Sequence, residues 1–212
     1  MKISEIFTSI QGESTYAGLP CTFIRLSGCN LRCAYCDTQY AYSDGTEMPV
    51  DEIIDRVRLS GPNLVEITGG EPLLQKTELG VLVPALLDAG YHVLIETNGS
   101  KSIEGIDKRA VVILDIKTPG SGMSDKMDFS GLDLIKPLDE IKFVLGGRND
   151  YDWAKDIIHG RKLRDKAEIL FSPVFGLLDP AELAGWIVDD NLDIRLNLQI
   201  HKYIFSPDRR GV

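Results

Sequence analysis

The sequence predicts an α/β fold, a partial and open β/α barrel of about six parallel strands. Three observations carry this. Short, apolar, β-branched segments alternate with helix-type segments along the chain, the pattern of a parallel α/β sheet. Val111-Val112-Ile113-Leu114 is continuously apolar, as a parallel strand covered on both faces is. The six or seven β/α units that fit into 212 residues fall short of a closed eight-unit barrel, which takes about 250 residues. At roughly 100–200 residues per domain, this length suits a single domain over 1–212.

Taken in order, the run Ile6–Ser14 is polar and reads as a surface lead-in or short hairpin, within an N-terminal extension over 1–20. Strands are expected near Thr22–Leu26, Leu64–Thr68, His92–Thr97, Val111–Ile116, Glu140–Leu145, Glu168–Phe171 and Ile194–Leu198. A helix over Pro49–Leu59 carries Asp51 and Glu52 in its first turn, where the helix dipole favours acids. The next, Thr77–Ala89, sets Leu79, Leu82, Val83, Leu86 and Leu87 on one stripe. Pro84 should kink or shorten it, and Gly90 should stop it. Asn149 or Asp150 is expected to cap a helix over Trp153–His159. Asp179-Pro180 reads as N-cap and first residue of a helix to Val188. Two segments do not look like framework: the connection 28–50 and the Gly/Ser/Asp-rich loop Lys117–Lys136. Both begin at the C-terminal end of a strand, where barrels place their active sites.

Hydrophobic residues make up 43% and charged residues 26%, as in ordinary folded domains. With 23 Lys and Arg against 32 Asp and Glu, the formal net charge is −9. That disfavours nucleic acid or an anionic membrane as partner, since phosphate binding needs clustered cations. No apolar run reaches the 18 residues that suggest a membrane span. The first residues lack the pattern of a signal peptide, so a cytoplasmic location is expected.

Of the four cysteines, Cys21 stands in an apolar run and reads as a small core residue. The other three form Cys29-x3-Cys33-x2-Cys36. In a reducing compartment such a cluster points to a metal or to catalysis. Thiolates suit zinc or iron–sulfur centres. Three ligands are one short of a closed structural zinc site, whereas a cubane cluster on three cysteines leaves one iron open.

Cys-x3-Cys-x2-Cys on the loop after the first expected strand, with Tyr35 before the last cysteine, resembles the radical S-adenosylmethionine (SAM) superfamily. Thr68-Gly69-Gly70-Glu71-Pro72 at the next strand end resembles that superfamily's GGEP motif. The resemblance implies a [4Fe-4S] cluster on Cys29, Cys33 and Cys36. It also implies SAM at its open iron, cleaved by one electron to methionine and a 5′-deoxyadenosyl radical. The glycines are expected to admit backbone close to the ligand.

Further elements narrow the resemblance. Ile10-Gln11-Gly12-Glu13, Cys36-Asp37-Thr38, Glu96-Thr97-Asn98-Gly99, Asp115-Ile116-Lys117 and Gln199-Ile200-His201-Lys202-Tyr203 together resemble the 7-carboxy-7-deazaguanine synthases, over Glu5 to Val212. These implied properties include conversion of 6-carboxy-5,6,7,8-tetrahydropterin to 7-carboxy-7-deazaguanine with loss of ammonia, SAM being regenerated. Mg²⁺ would be held at Thr38. Substrate contacts would come from Ile10, Gln11, Gly12, Glu13, Arg25, Thr68, His201 and Val212, with His201 also the catalytic candidate. Gly69, Gly70, Glu71, Thr97, Asn98, Asp115, Ile116, Lys117 and Ser121 would hold SAM. The 28–50 segment would be the cluster loop, and 199–212 a C-terminal cap over the substrate. A flavodoxin- or ferredoxin-type electron donor and a homodimer are further implications. A glycyl-radical-enzyme activating enzyme is the alternative within the superfamily, and a non-catalytic metal-binding module the alternative outside it.

Overall fold

The computed structural model describes residues 1–207 and 209–212. Among the described residues nine strands form one sheet: β1 (Lys2–Ile10), β2 (Pro20–Leu26), β3 (Thr46–Glu47), β4 (Leu64–Gly69), β5 (His92–Thr97), β6 (Val111–Ile116), β7 (Glu140–Leu145), β8 (Glu168–Pro173) and β9 (Arg195–Leu196). Their order is β3-β1-β2-β4-β5-β6-β7-β8-β9. From β2 to β9 every pairing is parallel, and β1 and β3 add antiparallel to the edge. Parallel strands that follow chain order, with no pairing between the two outer strands, make an open partial barrel.

The helices are α1 (Val50–Ser60), α2 (Lys76–Asp88), α3 (Arg148–Arg161), α4 (Pro180–Asp189) and the short α5 (His201–Ile204). Alternate residues along each strand divide the apolar content in two. Ile24, Ile67, Ile95, Leu114, Phe143 and Phe171 face the helices and join Leu79, Leu82, Leu86, Tyr151 and Leu183 in the main core. The opposite row builds the barrel interior. Cys21, Phe23, Leu64, Leu94 and Ile113 plug it. Later positions on the same row are polar: Arg25, Thr68, Glu96, Asp115 and Lys142.

Several expectations need correction. The N-terminal run is a hairpin arm rather than a lead-in: Ile6–Ile10 belong to β1, which starts at Lys2 and pairs antiparallel with β2, and Gln11–Ser14 follow it in the connection. Its weak alternation hid it: Phe7 stacks on Phe23, but Ile6 and Phe7 are both only half-buried and Thr8 is exposed. β9 has two residues rather than five. α2 is not shortened by Pro84 but runs through it to Asp88, and Gly90 follows at φ 90°. α3 begins at Arg148 with Gly147 as N-cap. Asp150 lies inside it, and its carboxylate instead accepts from Gly120 N at 2.7 Å and Gly146 N at 2.8 Å. Asp179 caps α4 as expected, accepting from Ala181 N at 2.8 Å. Cys21 is fully buried, and burial pushes its thiol up.

Candidate active site

A cavity of about 540 Å³ opens at the C-terminal ends of the parallel strands. Cys29, Cys33 and Cys36 line one side of it. Gln11, Glu13, Arg25 and His201 line it as well, together with Thr38, Thr68 and Val212. The site's parts are thus brought together from both ends of the chain.

The cluster loop is held by its backbone. Gly70 N donates to Leu26 O at 3.0 Å, and Glu71 N to Gly28 O at 2.7 Å. A Cβ on Gly69 would lie 2.3 Å from Leu26 O, and one on Gly70 would lie 2.0 Å from Gly28 O. The glycines therefore serve backbone-to-backbone packing against the cysteine loop, in addition to any ligand. Burial pushes the Cys29 and Cys33 thiols up, with Lys117 opposing it at Cys33. A centre that takes them as thiolates releases their protons on assembly. Among the described residues no group of three His, Cys, Asp or Glu side chains converges on one ion. Three soft thiolates without a common focus fit a cluster, in which each binds its own iron, better than a single zinc.

Glu71 does not face the cavity. It is fully buried and accepts from Leu73 N (2.9 Å), Thr97 Oγ1 (2.7 Å) and Asn98 N (2.7 Å), tying the β4 end to the β5 end. Ile116 and Ser121 also stand outside the lining: Ile116 joins the main core, and Ser121 Oγ donates to Thr118 O at 2.6 Å. Gly69, Gly70, Thr97, Asn98, Asp115, Lys117 and Ile10 do line the cavity.

A buried charged layer, unanticipated in the sequence, crosses the barrel. Lys142 Nζ donates to Glu13 Oε2 at 3.0 Å and to Glu96, and stands 3.7 Å from Asp115 Oδ2. Burial works against its charge, but Glu13, Glu96 and Asp115 hold it protonated well above the ordinary lysine range. Burial likewise pushes Glu13 up, but Lys142 and the Gln199 Nε2 bond (2.9 Å) outweigh it and hold the carboxyl low. Lys117 pairs with Asp115 at 2.6 Å. Glu66 is pushed well above the usual carboxylate range by burial and by Glu96. The signal was available: Glu66, Glu96 and Lys142 each interrupt an apolar strand, and a charge inside a parallel strand must be paired or functional.

His201 sits over Gly12, where a Cβ would lie 2.0 Å from its Nδ1. Burial pushes this imidazole down, against the pull of Glu13. Lys202 Nζ donates to Asp37 Oδ2 at 2.5 Å, linking the C-terminal segment to the cluster loop. Thr38 Oγ1 donates to Asp37 Oδ1 at 2.8 Å and keeps its lone pairs, a hard-oxygen donor pair of the kind Mg²⁺ accepts.

An open parallel barrel with a three-cysteine loop at its rim defines a class of enzyme. Residues 23–159 match the Radical SAM superfamily, to which the chain belongs. Within that superfamily the chain is a member of the 7-carboxy-7-deazaguanine synthase family. It is 44% identical to the 7-carboxy-7-deazaguanine synthase of Koribacter versatilis, with both sequences covered in full. It is 48% identical to that of Chlorobaculum tepidum, covering 100% of this chain and 97% of the relative. The crystal structure of QueE from Escherichia coli shares the fold, with a TM-score of 0.77 at 22% identity, over 93% of this chain and 92% of that one. No helix among the described residues is long and apolar enough to cross a membrane.

Proposed function

We propose that this protein converts 6-carboxy-5,6,7,8-tetrahydropterin to 7-carboxy-7-deazaguanine and ammonia, as a Mg²⁺-dependent radical lyase of cytoplasmic 7-deazapurine and queuosine biosynthesis. The observation that carries this reading is one cavity joining Cys29, Cys33 and Cys36 to Gln11, Glu13, Arg25 and His201. Ammonia accounts for the whole difference between substrate and product, so the conversion needs no net oxidant.

Cys29, Cys33 and Cys36 would hold the [4Fe-4S] cluster, and Gly69, Gly70, Thr97, Asn98, Asp115 and Lys117, which line the cavity, would hold SAM. When bound, the pair supplies the radical that removes hydrogen from C6 of the pterin. Arg25 offers a planar fork to the substrate carboxylate. Thr38 would offer its hydroxyl oxygen to Mg²⁺, the ligand type that ion accepts. His201, whose protonated form burial disfavours, would be the proton acceptor during ring contraction. The C-terminal segment would cap the substrate, a reading supported by Gln199, Lys202, Arg210, Gly211 and Val212 lining the cavity. A flavodoxin- or ferredoxin-type donor and a homodimer complete the reading.

The test is anaerobic turnover of reconstituted protein with SAM, dithionite, Mg²⁺ and the carboxytetrahydropterin, followed by mass spectrometry. The expected result is 7-carboxy-7-deazaguanine in large excess over 5′-deoxyadenosine. Slow 5′-deoxyadenosine formation with the pterin untouched overturns the reading and favours a glycyl-radical activase.

A further inference from the structure

Glu66 is the acid of the charged layer that has no cation beside it. Lys142 is taken by Glu13 and Glu96, Lys117 by Asp115, and Arg25 by Glu5. Among the described residues no Lys, Arg or His nitrogen comes within 4.0 Å of Glu66. Oε2 accepts from Gln11 Nε2. Oε1 has no hydrogen-bond partner among the described residues, although Glu66 is only 3% exposed and lines the cavity.

Gln11 is not free to take over this role. Its Nε2 is on Glu66 and its Oε1 accepts from Glu13 N at 3.0 Å. Its amide cannot flip without losing both bonds. Glu13 in turn has both oxygens engaged, by Lys142 and Gln199. The side chains that the sequence offered for the amide edge of a heterocycle are therefore largely occupied within the fold, and Glu66 Oε1 is not.

The surroundings define what fits there. Phe23 is the register partner of Glu66 on β2 and stacks on Phe7, with centroids 5.0 Å apart and planes 12° from parallel. Ile113 lines the same space. Glu66 lies two residues before Thr68 on β4, about 7 Å deeper in the barrel. The apolar wall of Phe7, Phe23 and Ile113 beside one unpartnered carboxyl oxygen suits a planar heterocycle that points an N–H donor inward, a donor that favours the ionised carboxylate which burial and Glu96 oppose. Oε1 is not enclosed by protein but opens onto the cavity, so an N–H of such a ligand would take the place of solvent there.

We propose that Glu66 is a specificity-determining residue whose Oε1 accepts a hydrogen bond from the exocyclic amino group of the bicyclic substrate, while Oε2 keeps the Gln11 amide in one orientation. The proposal rests on the pterin reading above and adds the contact that separates amino from oxo heterocycles.

The test is calorimetric titration of anaerobic, cluster-loaded protein with two ligands: 6-carboxytetrahydropterin, and its analogue bearing oxygen in place of the 2-amino group. The unaltered protein is expected to bind the amino compound at least about tenfold more tightly, since a site built around a donor rejects its absence. Glu66→Met, similar in length but without an acceptor oxygen, is expected to bring that preference within about twofold, with iron content and melting temperature retained. A Glu66→Met protein that keeps the full preference overturns the proposal. If Glu66→Met does not fold, the unaltered protein decides alone, and equal affinity for the two ligands overturns it. That last result leaves the pterin reading standing, whereas binding of neither ligand sinks both.

Discussion

Arg25 Nε donates to Glu5 Oε1 at 2.8 Å, and the same oxygen accepts from Tyr40 Oη at 2.6 Å. Among the described residues neither terminal nitrogen of Arg25 has a partner, and the side chain lines the cavity. The fold thus anchors the guanidinium by its inner nitrogen and leaves the fork for a carboxylate. Hydrogen bonds to charged groups are worth about 1.5–3 kcal/mol, so Arg25→Ala should weaken carboxytetrahydropterin binding by roughly tenfold to a hundredfold. Unchanged affinity by titration would refute this role. Glu140 offers a pH test. It is 1% exposed, accepts from Thr15 N at 3.0 Å, and has Oε2 buried without a partner. Burial pushes its carboxyl above the usual value of 4.5, against the Thr15 bonds. A group raised in the folded state stabilises the fold below its unfolded value, and that contribution is lost as pH rises through the folded one. Glu140→Gln, which cannot ionise, should therefore lose less stability than the parent as pH rises above the ordinary glutamate value of 4.5. Parallel curves of denaturation midpoint against pH would contradict it.

At the scale of elements, the cavity depends on the meeting of the loop after β1 with α5. Ile200 N donates to Gly12 O at 2.9 Å, and Phe175 packs edge-on against Tyr203 with centroids 5.5 Å apart. The contact has no room for a methyl group on Gly12, since Cβ would overlap His201 Nδ1. Gly12→Ala should displace His201 and cut turnover at least about tenfold, with little change in melting temperature because the main core is elsewhere. Full activity of that variant would show that His201 is not needed in place. The elements themselves were legible to different degrees. β4 to β7 and α4 follow from local apolar runs and a cap. β1 was misread because a strand at the edge alternates weakly, and α3 lost its first turn because Asp150 resembles a cap. Its carboxylate instead bonds Gly120 N and Gly146 N in loops outside the helix.

For the whole molecule, openness is the functional property. The sheet ends at β3 and β9 without closing, so the interior stays accessible from the rim where the cysteines lie. Cys29, Cys33 and Cys36 are each only half-buried. A cluster there meets dissolved oxygen, so aerobic exposure should strip iron and abolish turnover while the apolar core keeps the chain folded. Retained iron and turnover after prolonged exposure to air, measured beside an unchanged circular-dichroism spectrum, would contradict the cluster assignment.

By itself the sequence determined the class of chemistry and the framework that carries it. Cys-x3-Cys-x2-Cys, the Gly69-Gly70 pair and each apolar strand segment are local patterns, read within a few consecutive residues. Only the tertiary structure decided which polar groups in the site remain free for a ligand. Gln11 is held by Glu66, 55 positions away, and Glu13 by Lys142 and Gln199, 129 and 186 positions away. Glu71, though it stands in a motif, turns into the protein to brace β5. The reason is physical. A buried polar atom must find its partner wherever the fold brings one, and that partner is set by strand register and barrel curvature rather than by neighbours in the chain.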